Sequence, residues 1–112
     1  MIDLHCHTTY SDGSFSVKEL LQEAEKKRLT LLSITDHNTI NAYYELKGSN
    51  IRNLFGGDII SGIEITTTYN GETIEVLGYG FDLNIMQTFL NDNVLTFEEK
   101  QLKEYELIRN QY

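Results

Sequence analysis

No proline occurs in the 112 residues, and the chain has no low-complexity tract, internal repeat or linker. It therefore reads as one domain at most, large enough for a real core but small for a barrel enzyme. Cysteine is almost missing too. Cys6 stands alone, so no internal disulfide can form and a reducing cytoplasm is the expected compartment. No apolar run approaches the roughly 18 residues needed to cross a bilayer, so no membrane partner is expected. The opening Met1-Ile2-Asp3-Leu4-His5 has neither the basic nor the apolar region of a signal peptide. Basic residues are scarce, 9 against 17 acidic ones, for a formal net charge of −8. Such a surface repels nucleic-acid backbones unless metals or a local patch reverse the field, which disfavours a nucleic-acid-binding module. The one basic cluster, Lys26-Lys27-Arg28, closes an expected helix, where cations complement free carbonyls.

What is present is an ordinary globular mixture, 40% apolar and 23% charged. Residues 2–7 read as a short strand. Residues 16–28 predict a helix. Ser16 and Glu19 make a capping box, Phe15 and Leu20 sit as a hydrophobic staple, and Val17, Leu20, Leu21 and Ala24 give one apolar stripe. Residues 31–35 form a second strand that runs into Asp36-His37, and a helix over about 40–47 is stopped by Gly48. Residues 58–69 and 72–80 are strand-like and flank Asn70-Gly71, a two-residue hairpin signal because both positions tolerate positive φ. A last helix begins at Thr96, capped with Glu99, and Leu102, Tyr105, Ile108 and Tyr112 line one face. Alternating units of this kind predict an α/β fold with a largely parallel sheet. A full (β/α) barrel takes roughly 200 residues or more, so this chain holds about half of one. Half a barrel leaves two open sheet edges, to be covered by a longer natural protein or by another chain.

Several side chains can carry chemistry. His5 and His7 lie two apart on a strand, so both face one side and can chelate one ion while Cys6 points away. Cys6 reads as a small core residue rather than a ligand. Asp12 follows in a polar loop after the strand, where α/β sheets place their active sites, and Gly13 lets the backbone turn its carboxylate back. Alone, a Ser-Asp-Gly run is an ordinary turn. Asp36-His37 ends the second strand at the same sheet edge. His37 is the expected ligand and Asp36 its supporting partner, fixing the imidazole tautomer. The competing reading makes Asp36 or Asn38 a cap of the next helix. Glu64 lies in an apolar strand, where an unpaired carboxylate is costly and a cation is a natural partner. A two-residue turn at Asn70-Gly71 pairs Thr66 with Glu75 and Glu64 with Leu77, so Glu64 and Glu75 share one face. Two acids there repel unless cations sit between them or one takes up a proton; otherwise Glu75 is a surface residue.

The order of these motifs is recognisable. Ile-Asp-Leu-His-Cys-His-Thr-Thr-Tyr-Ser-Asp-Gly-Ser at 2–14 resembles the opening motif of the PHP (polymerase and histidinol phosphatase) domain family. Ile34-Thr35-Asp36-His37-Asn38 resembles its second motif and Gly62-Ile63-Glu64 its glutamate motif, and the match continues through residues 76–82. The stand-alone metal-dependent phosphoesterases of the family are the most similar type. The resemblance implies the N-terminal portion of a distorted (β/α)7 barrel, with the β-hairpin at about 58–80 and a C-terminal helix. It also implies two or three divalent ions (Mn, Fe or Zn) and hydrolysis of phosphate esters. The nucleophile would be a metal-activated water, with no serine or cysteine needed. Carried over by position, His5 and His7 bind one ion, Glu64 bridges to a second, and Asp12 and His37 help hold a third. The expected substrate is a phosphorylated small molecule or nucleotide.

Two departures stand out. Glu75 occupies a position where the family usually has histidine, which hardens the site if it ligates. The family's later cysteine or histidine ligand and its terminal Asp-x-His motif are missing, since no histidine follows residue 82. Residues 1–112 therefore read as the N-terminal part of such a domain. The alternative reading is a degenerate fragment serving as a non-catalytic binding or assembly module, self-associating through its open edges.

Overall fold

The computed structural model describes residues 1–93. Their elements are β1 (Ile2–Cys6), α1 (Val17–Lys26), β2 (Leu31–Ile34), α2 (Asn41–Gly48), a 3-10 turn (Asn50–Leu54), β3 (Asp58–Ile59), β4 (Gly62–Tyr69), β5 (Glu72–Tyr79) and α3 (Leu83–Asn93). The helix expected from Thr96 lies outside the described residues.

α1 begins where its capping chemistry puts it. The Ser16 hydroxyl accepts from the Glu19 N–H at 3.2 Å, and the Glu19 carboxylate accepts from the Ser16 N–H at 3.1 Å. Val17, Leu20, Leu21 and Ala24 are then all buried, in one core cluster with Leu32, Ile34, Ile40, Ala42, Tyr43, Phe55 and Ile63. β1, β2 and β3 form a parallel sheet in that order. Leu32, Ser33 and Ile34 of the middle strand are buried on successive, opposite-facing positions, as a sheet covered on both sides requires. β1 is an edge, with Ile2 and Leu4 exposed.

The hairpin has the expected register. Asn70 and Gly71 have φ of 52° and 80°, and Thr66 pairs with Glu75 and Glu64 with Leu77. It forms its own two-stranded sheet and meets the parallel one at a bridge between His37 and Glu64. There the Asn38 N–H donates to the Glu64 carbonyl (2.9 Å) and the Glu64 N–H to the Asp36 carbonyl (3.1 Å).

Three expectations are corrected. The strand expected over 58–69 is broken at Ile60-Ser61, where the Tyr43 hydroxyl fills the ladder. It accepts from the N–H groups of Ile34 (3.0 Å) and Gly62 (2.9 Å), donates to the Ile34 carbonyl (2.7 Å), and lies 3.2 Å from that of Ile60. α2 runs through Gly48, which is its last residue rather than the first beyond it. α3 was not foreseen, although Leu83, Met86 and Leu90 have helical spacing and pack on the core. Asp82, which accepts from the Ile85 N–H at 3.0 Å, starts that helix rather than merely ending the strand motif. Among the described residues the strands make an open sheet and a hairpin rather than a closed barrel, and no helix is long and apolar enough to cross a membrane.

Candidate metal centre

Parallel pairing of β1 with β2 sends the chain segments after both strands to one end of the sheet, and the bridge at His37 brings the start of β4 there as well. His5, His7, His37 and Glu64 therefore meet although they come from three segments. The His7 and His37 rings stack with centroids 4.6 Å apart and planes within 9°, and His5 stands edge-on to His7 at 5.2 Å. Cys6 points the other way, and its thiol donates to the Ser33 carbonyl at 3.1 Å. Burial, reinforced by Asp3 and Asp36, pushes that thiol up to about 12, so it stays protonated at neutral pH.

Glu64 is the centre of the cluster and only 4% exposed. Its Oε1 lies 2.8 Å from His5 Nε2 and 3.3 Å from His7 Nε2, and its Oε2 lies 3.9 Å from His37 Nδ1. Hydrogen bonding to Glu75, then to His5, holds Glu64 below the usual carboxylate range despite its burial, with the charges of His37 and His5 adding. The same hydrogen bond, with Glu64's charge behind it, holds the exposed Glu75 above that range. Two carboxyls on one hairpin face thus push each other's affinity for protons in opposite directions. Asp12 closes the far side, with Oδ2 3.1 Å from His37 Nε2 and Oδ1 3.6 Å from His7 Nδ1. Three overlapping donor groups result: His5, His7 and Glu64; His7, Asp12 and His37; His37, Glu64 and Glu75, each with donor atoms within 4.8 Å of one another.

Other residues put these donors in place. Gly13 is required by close approach, since a Cβ there would overlap the His7 carbonyl. Asp36 is placed differently from expectation. Among the described residues its buried carboxylate accepts from the Thr8 N–H, the Thr8 hydroxyl and the Ser11 hydroxyl; it makes no hydrogen bond to an imidazole and caps no helix. Asn38, with φ of 57°, clips His37 to the hairpin by accepting from the Thr66 N–H at 2.9 Å. Thr8, Ser11 and Tyr43 were missed because their partners lie 9 to 28 residues away. For Asn38, its tolerance of positive φ after a strand end was the one available signal.

The donor set fits divalent cations. Among the described residues, His7 Nδ1 is buried without a hydrogen-bond partner. Among the described residues no lysine or arginine pairs with Asp12, Glu64 or Glu75: Lys27 pairs with Glu23, and Arg52 holds the Phe55 and Gly57 carbonyls. Imidazoles and carboxylates facing one another without a counter-cation are the donors that Zn, Fe and Mn sites use.

A 5'-3' exoribonuclease from Haemophilus influenzae is 38% identical over 80 residues, covering 71% of this chain and 28% of that protein. A 3',5'-nucleoside bisphosphate phosphatase from Chromobacterium violaceum is 30% identical over 81 residues, covering 72% of this chain and 28% of that protein. A solved Bifidobacterium adolescentis structure, assigned as a metal-dependent phosphoesterase, superposes with TM-score 0.63 at 28% identity, covering 80% of this chain and 32% of that one. The chain thus spans under a third of the length of these proteins. The PHP domain profile matches residues 3–112, and with these motifs at one sheet end the chain belongs to the PHP domain family.

Proposed function

We propose that this chain supplies the N-terminal ligands of a phosphoesterase centre with two or three divalent ions, Mn, Fe or Zn. The complete protein would hydrolyse phosphate esters of a small molecule or nucleotide in the reducing cytoplasm. The observation that carries this reading is the convergence of three imidazoles on the buried Glu64, with no lysine or arginine opposite it among the described residues. In this reading His5 and His7 would hold one ion, and Glu64 would serve both that ion and the next. Asp12 joins His7 and His37 at another, and Glu75 adds a carboxylate beside Glu64 and His37. Ions bound there supply an activated water and positive charge for the phosphate oxygens.

The chain's own side chains orient and exclude. Glu64 holds the His5 imidazole by a hydrogen bond and faces those of His7 and His37. Cys6, with its thiol turned into the sheet, is withheld from nucleophilic chemistry. Relatives named as exoribonucleases and as a nucleoside bisphosphate phosphatase support including nucleotides in the proposed substrate class. The charge of −8 favours a small phosphorylated molecule over a long polyanion.

The test is metal content after purification without chelator, together with hydrolysis of a nucleoside bisphosphate by a longer parent protein. We expect at least two ions, inhibition by chelator, and loss of most turnover in His7→Ala and Glu64→Ala. Near-normal turnover in either metal-loaded variant refutes the assignment. A second reading, a non-catalytic assembly module built from copies of this chain, draws on β5, where Ile74, Val76, Leu77 and Tyr79 are all exposed. Mass in solution separates the two.

A further inference from the structure

We infer that Asp36 is a positioning residue for Asp12, acting through the loop between His7 and Asp12 rather than on the adjacent imidazole. Its consequence for ion binding rests on the metal-centre reading; its effect on the loop does not.

Asp36 is 1% exposed, and a buried carboxylate is costly unless its lone pairs are used. Here they are used within one short segment. Oδ1 accepts from the Thr8 N–H (2.6 Å) and the Ser11 hydroxyl (2.7 Å), and Oδ2 from the Thr8 hydroxyl (2.7 Å). Thr8 passes the constraint on. Its carbonyl accepts from the N–H groups of Ser11 (3.0 Å) and Gly13 (2.9 Å), and its hydroxyl accepts from the Tyr10 backbone N–H (3.2 Å). The backbone on both sides of Asp12 is thereby tied to Asp36. Asp12 needs the help: its side chain is 65% exposed, and its contacts within 4 Å among the described residues are to His37 and His7. An aspartate on a free loop would sample many positions, and fixing the loop removes that entropy before an ion arrives. Because His37 follows Asp36 directly, one point on the sheet sets both the imidazole and the carboxylate facing it.

The test uses the 112-residue chain with Asp36→Ala, Asp36→Asn, Ser11→Ala and Asp12→Ala, read by amide hydrogen exchange without metal and by titration with Mn or Zn. We expect Asp36→Ala to speed exchange at Ser11 and Gly13 by at least about tenfold while α1 and β4 stay protected. It should also lose the ion that Asp12→Ala loses and keep the one that depends on His5. Asp36→Asn should restore most of both, because its carbonyl can accept from Thr8 and Ser11 while its amide donates to the Thr8 hydroxyl. Ser11→Ala should be intermediate. The inference is overturned if Asp36→Asn is as damaging as Asp36→Ala, since charge rather than hydrogen bonding would then be the role. It is equally overturned if exchange in the loop is unchanged in Ser11→Ala and Asp36→Ala. Should Asp36→Ala not fold, the Ser11→Ala exchange result decides alone. If the wild-type chain takes up no ion, these residues do not hold one by themselves, and the exchange result still decides the positioning role.

Discussion

At the break between β3 and β4 the Tyr43 hydroxyl replaces ladder bonds that the backbone cannot make, serving Ile34 and Gly62 as acceptor and Ile34 as donor. Tyr43→Phe leaves buried N–H groups without an acceptor, and urea denaturation should show a loss of about 1–3 kcal/mol. Burial, opposed by these hydrogen bonds, pushes the phenol from an ordinary 10.0 up to about 12. The folded state therefore favours the protonated form. Its contribution is fully present below pH 10 and is lost as pH rises toward 12. The urea midpoint should fall across that window, less steeply in Tyr43→Phe, where the buried Cys6 thiol still contributes. Glu75 supports a prediction of another kind. On the proposed reading its carboxylate hardens the group shared with His37 and Glu64, so Glu75→His should raise Zn binding relative to Mn in competition titrations. An unchanged ratio would remove Glu75 from the ligand set.

Elements fall into those set locally and those set from afar. α1 is local: its cap, first turn and apolar stripe all lie within residues 16–24. Ser16→Ala should therefore cost about 1 kcal/mol, read as a drop in thermal midpoint. The hairpin is equally local, since Asn70-Gly71 dictates the register that puts Glu75 on the same face as Glu64. For the same reason the site's skeleton was legible. His5 and His7 share a face by the period of a strand, and an acid in an apolar strand announces Glu64. What was not legible depends on distant partners. The break at Ile60-Ser61 depends on a tyrosine 17 residues upstream, and Asp36's role on donors 25 and 28 residues upstream. A helix cap and an imidazole partner were the nearby options for Asp36, and proximity in sequence favoured both wrongly. α3 was hidden differently, because Asp82 fits a strand end and a helix cap equally well.

At the scale of the molecule, both flanks are open among the described residues. β1 exposes Ile2 and Leu4, and β5 exposes Ile74, Val76 and Leu77, and the Tyr79 hydroxyl of β5 donates to the Leu4 carbonyl of β1 at 2.6 Å. Exposed strand edges recruit partners. If a second copy covers them, the chain alone should show a concentration-dependent mass above that of a monomer by light scattering. A monomeric mass at all concentrations would end that reading. The long reach between His5 and Glu64, 59 residues apart, also has a meaning in time. During synthesis the two histidines of the first strand emerge well before the glutamate that completes their grip. Closing so long a loop is a late event in folding, because its entropy is spent before the contact returns anything. On the proposed reading, tight ion uptake should therefore lag the early helix and coincide with docking of the hairpin, making a captured ion a clock for the last step of assembly.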